Sequence, residues 1–362
     1  MKNKASRFTD LKLLSLGFLL ALSWPLIGAS EDGCNPVGEH SFVCGPRNPE
    51  DLVLLPGTKW IIASGMAADG SLYIIDSELK TWAEAGEPRI AQDLKVYGAC
   101  PGAPNPDNFI SHGLNIRPGD GAHSTLYVVG HGGREAIEVF DVDTTGEIPV
   151  LTWTGCIETP DGMAANSVAS LADGTLLATI PLHTGISISD ALAGKETGAV
   201  YKWAPGDAGF TLLQGTEMPY ANGIEASADG AEFYVASSGL FTVIAFSNSN
   251  PAIHLRSTET LEFIPDNLHM GPDGRLITAG LNVEDPGCGA VKQSEEFDLE
   301  EFASCPRAWT AISIDPQFMQ TDTIDSGPAN SQFSNITMAL PVNGELWIGT
   351  FAGDRIGYRS LE

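Results

Sequence analysis

Apolar and polar residues alternate along most of this chain with a period of two, and glycine breaks the alternation at short intervals. Six stretches share one plan: EDLVLLPGTKWIIASG from Glu50, HGLNIRPGDGAHSTLYVVGH from His112, NSVASLADGTLLATI from Asn166, NGIEASADGAEFYVASS from Asn222, DNLHMGPDGRLITAG from Asp266 and NITMALPVNGELWIGTF from Asn335. Each opens on a polar residue, runs as a short alternating strand, turns at a glycine that usually follows Asp or Asn, and leaves as a more apolar strand. Further strand-like runs lie between them, among them SLYIID, AIEVFDVD, GAVYKWA and FTVIAFS. No amphipathic helix of convincing length is predicted beyond the N-terminal segment, apart from a short one in the acidic insert SEEFDLEEF at 294–302. Polar starters 44 to 69 residues apart, each opening a hairpin followed by one or two strands, predict an all-β six-bladed β-propeller with four-stranded blades. A β-sandwich would explain the alternation but not a fixed polar position at the start of every unit.

The N-terminus changes the picture of where the domain works. MKNKASRF precedes an apolar stretch from Leu11 to Ile27, interrupted by Lys12 and small polar residues, and Gly28-Ala29-Ser30 follows. A basic head, an apolar middle and a small-residue exit read as a secretory signal over residues 1–29, leaving 30–362 as a single propeller domain. The alternative is a retained anchor, although the stretch is short for a bilayer span. The mature chain is expected to be exported, periplasmic or secreted, without stable membrane insertion. Loss of the signal takes Lys2, Lys4, Arg7, Lys12 and Asp10 with it and moves the formal charge from −27 to −30. Such a surface repels nucleic acid and attracts cations. Six cysteines remain, an even number that suggests disulfides in an exported chain. Proximity favours Cys34 with Cys44 and Cys288 with Cys305, leaving Cys100 with Cys156, and no C-x-x-C pair or Cys/His cluster offers a zinc site.

In a propeller the innermost strand of each blade lines the central tunnel, so residues that begin these strands form a ring at its mouth. The ring here is Glu50 with Asp51, His112, Asn166, Asn222, Asp266 with Asn267, and Asn335. Carboxylate and amide oxygens converging on one point suit calcium better than zinc or copper. Asn and Asp also begin strands because they cap turns, which is the plain alternative for any one of them. Asn335-Ile336-Thr337 is a glycosylation sequon whose Asn is expected to be bare, since the tunnel leaves no room for a glycan.

These residues resemble the calcium-dependent six-bladed propellers of the SMP-30, gluconolactonase, paraoxonase and strictosidine-synthase-like superfamily, and most of all the paraoxonases. The resemblance rests on Glu50-Asp51 before the first strand, HGL at 112–114, His131, the Asn166 strand, ANGIEASADG at 221–230 and Asp266-Asn267, and it spans residues 45–362. It implies a catalytic calcium held by Glu50, Asn166, Asn222, Asp266 and Asn267, with His112 activating water and His131 supporting it. It also implies a second, structural calcium at Asp51 and the carbonyl of Leu114, but the third position of that site is Ser167 rather than Asp, which speaks against the second ion. The implied activity is hydrolysis of a small-molecule lactone or aryl ester, the ion polarising the carbonyl. Two other functions stay open: a non-catalytic, calcium-stabilised binding platform, and a strictosidine-synthase-like enzyme, which needs an acidic base and no metal. His183 is expected in a loop over the mouth. Because no cysteine follows Cys305, the ring is expected to close by strand pairing alone, with RIGYRSL completing a blade.

Overall fold

A computed structural model describes residues 33–68, 70–291 and 297–361; the N-terminal segment read as an export signal lies outside them. Each alternating run pairs antiparallel with the next, and the hairpins assemble into six radial sheets. The innermost strands are Leu52–Leu54, Phe109–Pro118, Val168–Ser170, Ala221–Ala226, Leu268–Met270 and Ile336–Val342, defining blades I to VI. Blade II carries a fifth strand, Arg89–Ile90, parallel to Val150–Glu158. The predicted six-bladed propeller is therefore the fold.

The core is shared between blades. Second and third strands such as Tyr73–Asp76, Leu176–Ile180 and Leu276–Leu281 are buried on both faces, so alternation gives way to continuous apolar runs. Their side chains fill a wedge at every blade junction: Ile62, Leu114 and Trp153 between blades I and II, for example, and Val43, Ile75 and Trp347 between VI and I. This packing leaves the backbones of the inner strands crowded around the axis. A Cβ on Gly113 would stand 2.3 Å from the Asn166 carbonyl oxygen, and one on Gly223 would stand 2.4 Å from that of Asp266. Close approach of neighbouring blades thus requires glycine directly after His112 and Asn222.

Ring closure differs from expectation in one respect. Arg355–Ser360, inside RIGYRSL, is the third strand of blade VI, and the outermost strand is Ser41–Cys44, pairing from Ser41 with Tyr358 to Cys44 with Arg355. The exposed edge of Arg355–Ser360 needs a partner, and the short SFVC run supplies it from the other end of the chain. Strand pairing alone does close the ring. The disulfides are Cys34–Cys44, Cys100–Cys156 and Cys288–Cys305, as proximity favoured. Among the described residues two short α-helices interrupt the all-β plan. Leu299–Ser304 falls in the acidic insert, capped by Asp298; Ile188–Leu192 was not expected, although Ser187 and Asp190 form a reciprocal capping box at its start. The Phe297 amide donates to Ser189 Oγ at 2.8 Å, joining the two helical segments over one end of the tunnel.

Candidate functional site

β-Bulges re-aim the starters toward the axis. The ladder slips between Ser111 and Leu114 and again between Ala221 and Ile224, so His112 and Asn222 leave the regular pleat. His112 is the fourth residue of its strand rather than the first. A cavity of about 290 Å³ opens above the inner strands, with Glu50, His112, Asn166, Asn222 and Asp266 on its lining.

Hydrogen bonds fix which atoms face this floor. Asn267 Nδ2 donates to Glu50 Oε1 at 2.6 Å and to the Glu50 carbonyl at 3.2 Å, so its Oδ1 must point the other way. Asn222 Nδ2 donates to Ser238 Oγ at 2.9 Å; Ser238 in turn donates to the Pro265 carbonyl at 2.7 Å, and the direction of the amide is again forced. What remains is a set of buried acceptors without partners among the described residues: Glu50 Oε2, Asn166 Oδ1, Asn222 Oδ1 and Asn267 Oδ1. An unsatisfied buried polar atom costs about 1–3 kcal/mol; three of these residues line the cavity and the fourth, Asn267, is bonded to Glu50, so a shared partner would satisfy the set. Electrostatics point the same way. Burial, reinforced by the neighbouring Glu50 carboxylate, holds Asp266 well above the usual carboxylate range, the response of an acid that lacks a countercharge. Among the described residues no three His, Cys, Asp or Glu side chains gather in ligating geometry, so a cation here would rest largely on amide oxygens. Two carboxylates and three amide oxygens fit a hard ion such as calcium.

Beside the floor runs a chain of side chains with one sense. Glu135 Oε2 lies 2.5 Å from His131 Nδ1, and His131 Nε2 lies 2.9 Å from His112 Nδ1. A carboxylate only accepts, so His131 Nδ1 donates to Glu135; its Nε2 then accepts from His112 Nδ1–H. That tautomer leaves a lone pair on His112 Nε2, 3.6 Å from Glu50 Oε2. Burial lowers the basicity of this imidazole, but Glu50, with Asp266 and Asp51 adding to it, outweighs burial and the net shift is upward. Glu135 was not singled out from the sequence; its only signal was its position four residues after His131.

The residues of the implied second ion do not fit one. Asp51 is fully buried and its carboxylate is already engaged: Oδ1 accepts from the Leu52 amide at 2.8 Å and from His269 Nε2 at 2.7 Å, and Oδ2 accepts from the Leu114 amide at 2.7 Å. Burial opposes protonation of His269, yet Asp51 and then Glu225 outweigh it and push the ring up to about 10. Ser167 adds no charge there. His183 meets the Tyr201 hydroxyl at 3.3 Å and does not line the cavity. Asn335 is 3 % exposed, and its Nδ2 donates to the Ala303 carbonyl at 3.0 Å, tying the Leu299–Ser304 helix to blade VI.

No family model matches the chain, and no curated protein matches it in sequence. Solved structures do. A luciferin-regenerating enzyme superposes with a TM-score of 0.53 at 13% identity, over 88% of this chain and 92% of its own. A structural-genomics gluconolactonase target gives 0.52 at 14% identity, over 91% and 94%. The calcium-binding protein regucalcin from Agrobacterium tumefaciens gives 0.50 at 11% identity, over 87% and 90%. The chain thus has the fold of the six-bladed SMP-30-like propellers. Its likeness to paraoxonases within that group rests on the sequence motifs.

Proposed function

We propose that this protein is a calcium-dependent hydrolase of lactones or aryl esters, working in an exported compartment. One observation carries the reading: unpartnered oxygens of Glu50, Asn166 and Asn222 share a cavity floor with Asp266 and with the free nitrogen of a relayed histidine, while that of Asn267 is buried on a side chain bonded to Glu50. Glu50, Asn166, Asn222, Asp266 and Asn267 would hold the ion. When bound, calcium supplies positive charge that polarises an ester carbonyl.

The chain's own groups do the rest. His112 Nε2 takes a proton from the attacking water and returns it to the leaving oxygen, while His131 and Glu135 stabilise the imidazolium from behind. Ser238 and the Glu50–Asn267 contact hold the amides in one orientation, so the ring need not reorganise. The walls are apolar, with Ile188, Leu192, Ile264, Phe297, Leu299 and Phe302 above the polar floor. They favour an ester or lactone bearing an alkyl or aryl arm over a polyhydroxylated one. The three disulfides fit an oxidising compartment, and no helix among the described residues is long and apolar enough to cross a membrane.

A panel of alkyl lactones, sugar lactones and phenyl esters, assayed with calcium and then with chelator, tests this reading. Turnover of the apolar members, lost on chelation and restored by calcium, is the expected result. A folded, calcium-loaded protein that turns over none of them would instead be a binding platform.

A further inference from the structure

Tyr220 stands two residues before Asn222, at the edge of the same cavity, and its backbone is left-handed with φ of 50°. That region favours glycine and asparagine; an aromatic side chain adopts it only where its surroundings compel it. Here they do. The Tyr220 amide donates to Thr197 Oγ1 at 3.0 Å, the Ser238 amide donates to the Tyr220 carbonyl at 3.1 Å, and the preceding Pro219 carbonyl accepts from Ser237 Oγ at 2.5 Å. These bonds clamp both sides of the residue, and two of them come from the strand end that also orients Asn222.

The clamped phenol takes no hydrogen-bond partner among the described residues, and its oxygen is not sealed in the protein interior, in contrast to that of Tyr127. Other tyrosine hydroxyls are used: Tyr201 meets His183 and Tyr234 meets Glu232. Tyr220 lines the cavity together with Asp266 and Glu50, the two carboxylates of the floor. A strained backbone, a free hydroxyl and a place beside the carboxylates together give a donor held ready for something that enters the cavity.

We propose that Tyr220 is a further catalytic residue, its phenol donating a hydrogen bond to the carbonyl oxygen of the bound ester or lactone and strengthening that bond as the oxygen gains charge. The proton stays on the phenol throughout, so no leaving group depends on it. His112 keeps the proton transfer and Tyr220 acts on the oxyanion, a division matched by their separate blades. This role rests on the hydrolase reading above.

The test is Tyr220→Phe, which keeps the ring and removes one oxygen. Loss of one oxyanion donor typically lowers kcat about 10²- to 10³-fold. The loss should be uniform across phenyl esters of differing leaving-group acidity, with KM little changed. Binding gives a readout independent of turnover: the variant should lose affinity for an alkyl phosphonate, which carries the developing charge, by a factor of ten or more, and bind the uncharged lactam analogue as the wild type does. Circular dichroism and calcium affinity should match the wild type. Active wild type with an unimpaired Tyr220→Phe variant overturns the role alone. A loss confined to poor leaving groups also overturns it, because the phenol would then be a general acid. Wild type that neither turns over the panel nor binds the phosphonate overturns the hydrolase reading, and this role with it.

Discussion

His112 receives its tautomer from a residue that never meets the cavity. Because Glu135 fixes His131, and His131 fixes His112, the lone pair on His112 Nε2 is set by a carboxylate two imidazoles away. His112→Gln is expected to keep fold and calcium affinity while losing about 10²- to 10⁴-fold in kcat/KM. Wild-type kcat/KM should rise with pH as the ring deprotonates. In the ion-free protein Glu50 places that titration above the ordinary histidine value, and the ascending limb should vanish in His112→Gln. Glu135→Gln should shift the limb to lower pH, since an amide stabilises the imidazolium less than a carboxylate does. An unchanged profile in both variants would make the dyad structural and leave a floor carboxylate as base. His112 was legible in the sequence because it opens one of the six repeated stretches, and His131 only through the resemblance to paraoxonases. Glu135 was not, because an acid in a hairpin turn reads as a solvated residue until the turn folds it back.

At the scale of elements, the repeat of starter, turn glycine and apolar strand was sufficient to locate the six inner hairpins. The closing strand was not legible, since four residues of SFVC carry no signal that they pair across the whole length of the chain. The Ile188–Leu192 helix escaped for a related reason, since so short a helix shows too little periodicity to separate it from a loop, whereas the acidic insert had marked the place of the other. Closure has its own electrostatic clasp. Asp325 Oδ2, on the outer strand of blade V, accepts from His40 Nε2 and from Arg359 Nε, each at 2.8 Å. Burial alone would raise this carboxyl, but His40 and Arg359 outweigh it and hold it below the usual range. A depressed folded pKa gives stability that is complete above the unfolded carboxylate value and disappears as pH falls through the folded one. Asp325→Asn should therefore lower stability by about 2 kcal/mol at pH 7. The difference from wild type should shrink toward zero in strong acid, which paired melting curves across pH would show; a gap that persists there would put the effect in packing instead.

For the whole molecule, the floor links stability to the ion. A ligand at a hundred times its Kd stabilises the folded state by about 2.7 kcal/mol, so calcium should raise the melting temperature by several degrees. Asp266 separates the ion's contribution from that of its ligands. Its folded pKa is raised, so in chelator it destabilises the protein above the unfolded carboxylate value, and Asp266→Asn should melt higher than wild type there. With calcium the order should reverse, because the variant has lost a ligand charge, and its turnover should be abolished. The same order in both conditions would remove Asp266 from the ion site. The closing strand, finally, gives the ring a mechanical character that depends on its cysteines. Ser41 pairs with Tyr358, close to where the chain leaves through Leu361, so tension between the two ends would open the closing ladder one rung at a time, as a zipper opens. The Cys34–Cys44 bridge moves the point of load past the strand to Cys44, opposite Arg355 at the far end of the ladder. All of the rungs then bear tension together, in shear. Oxidation thus turns a seam that peels into one that must slide.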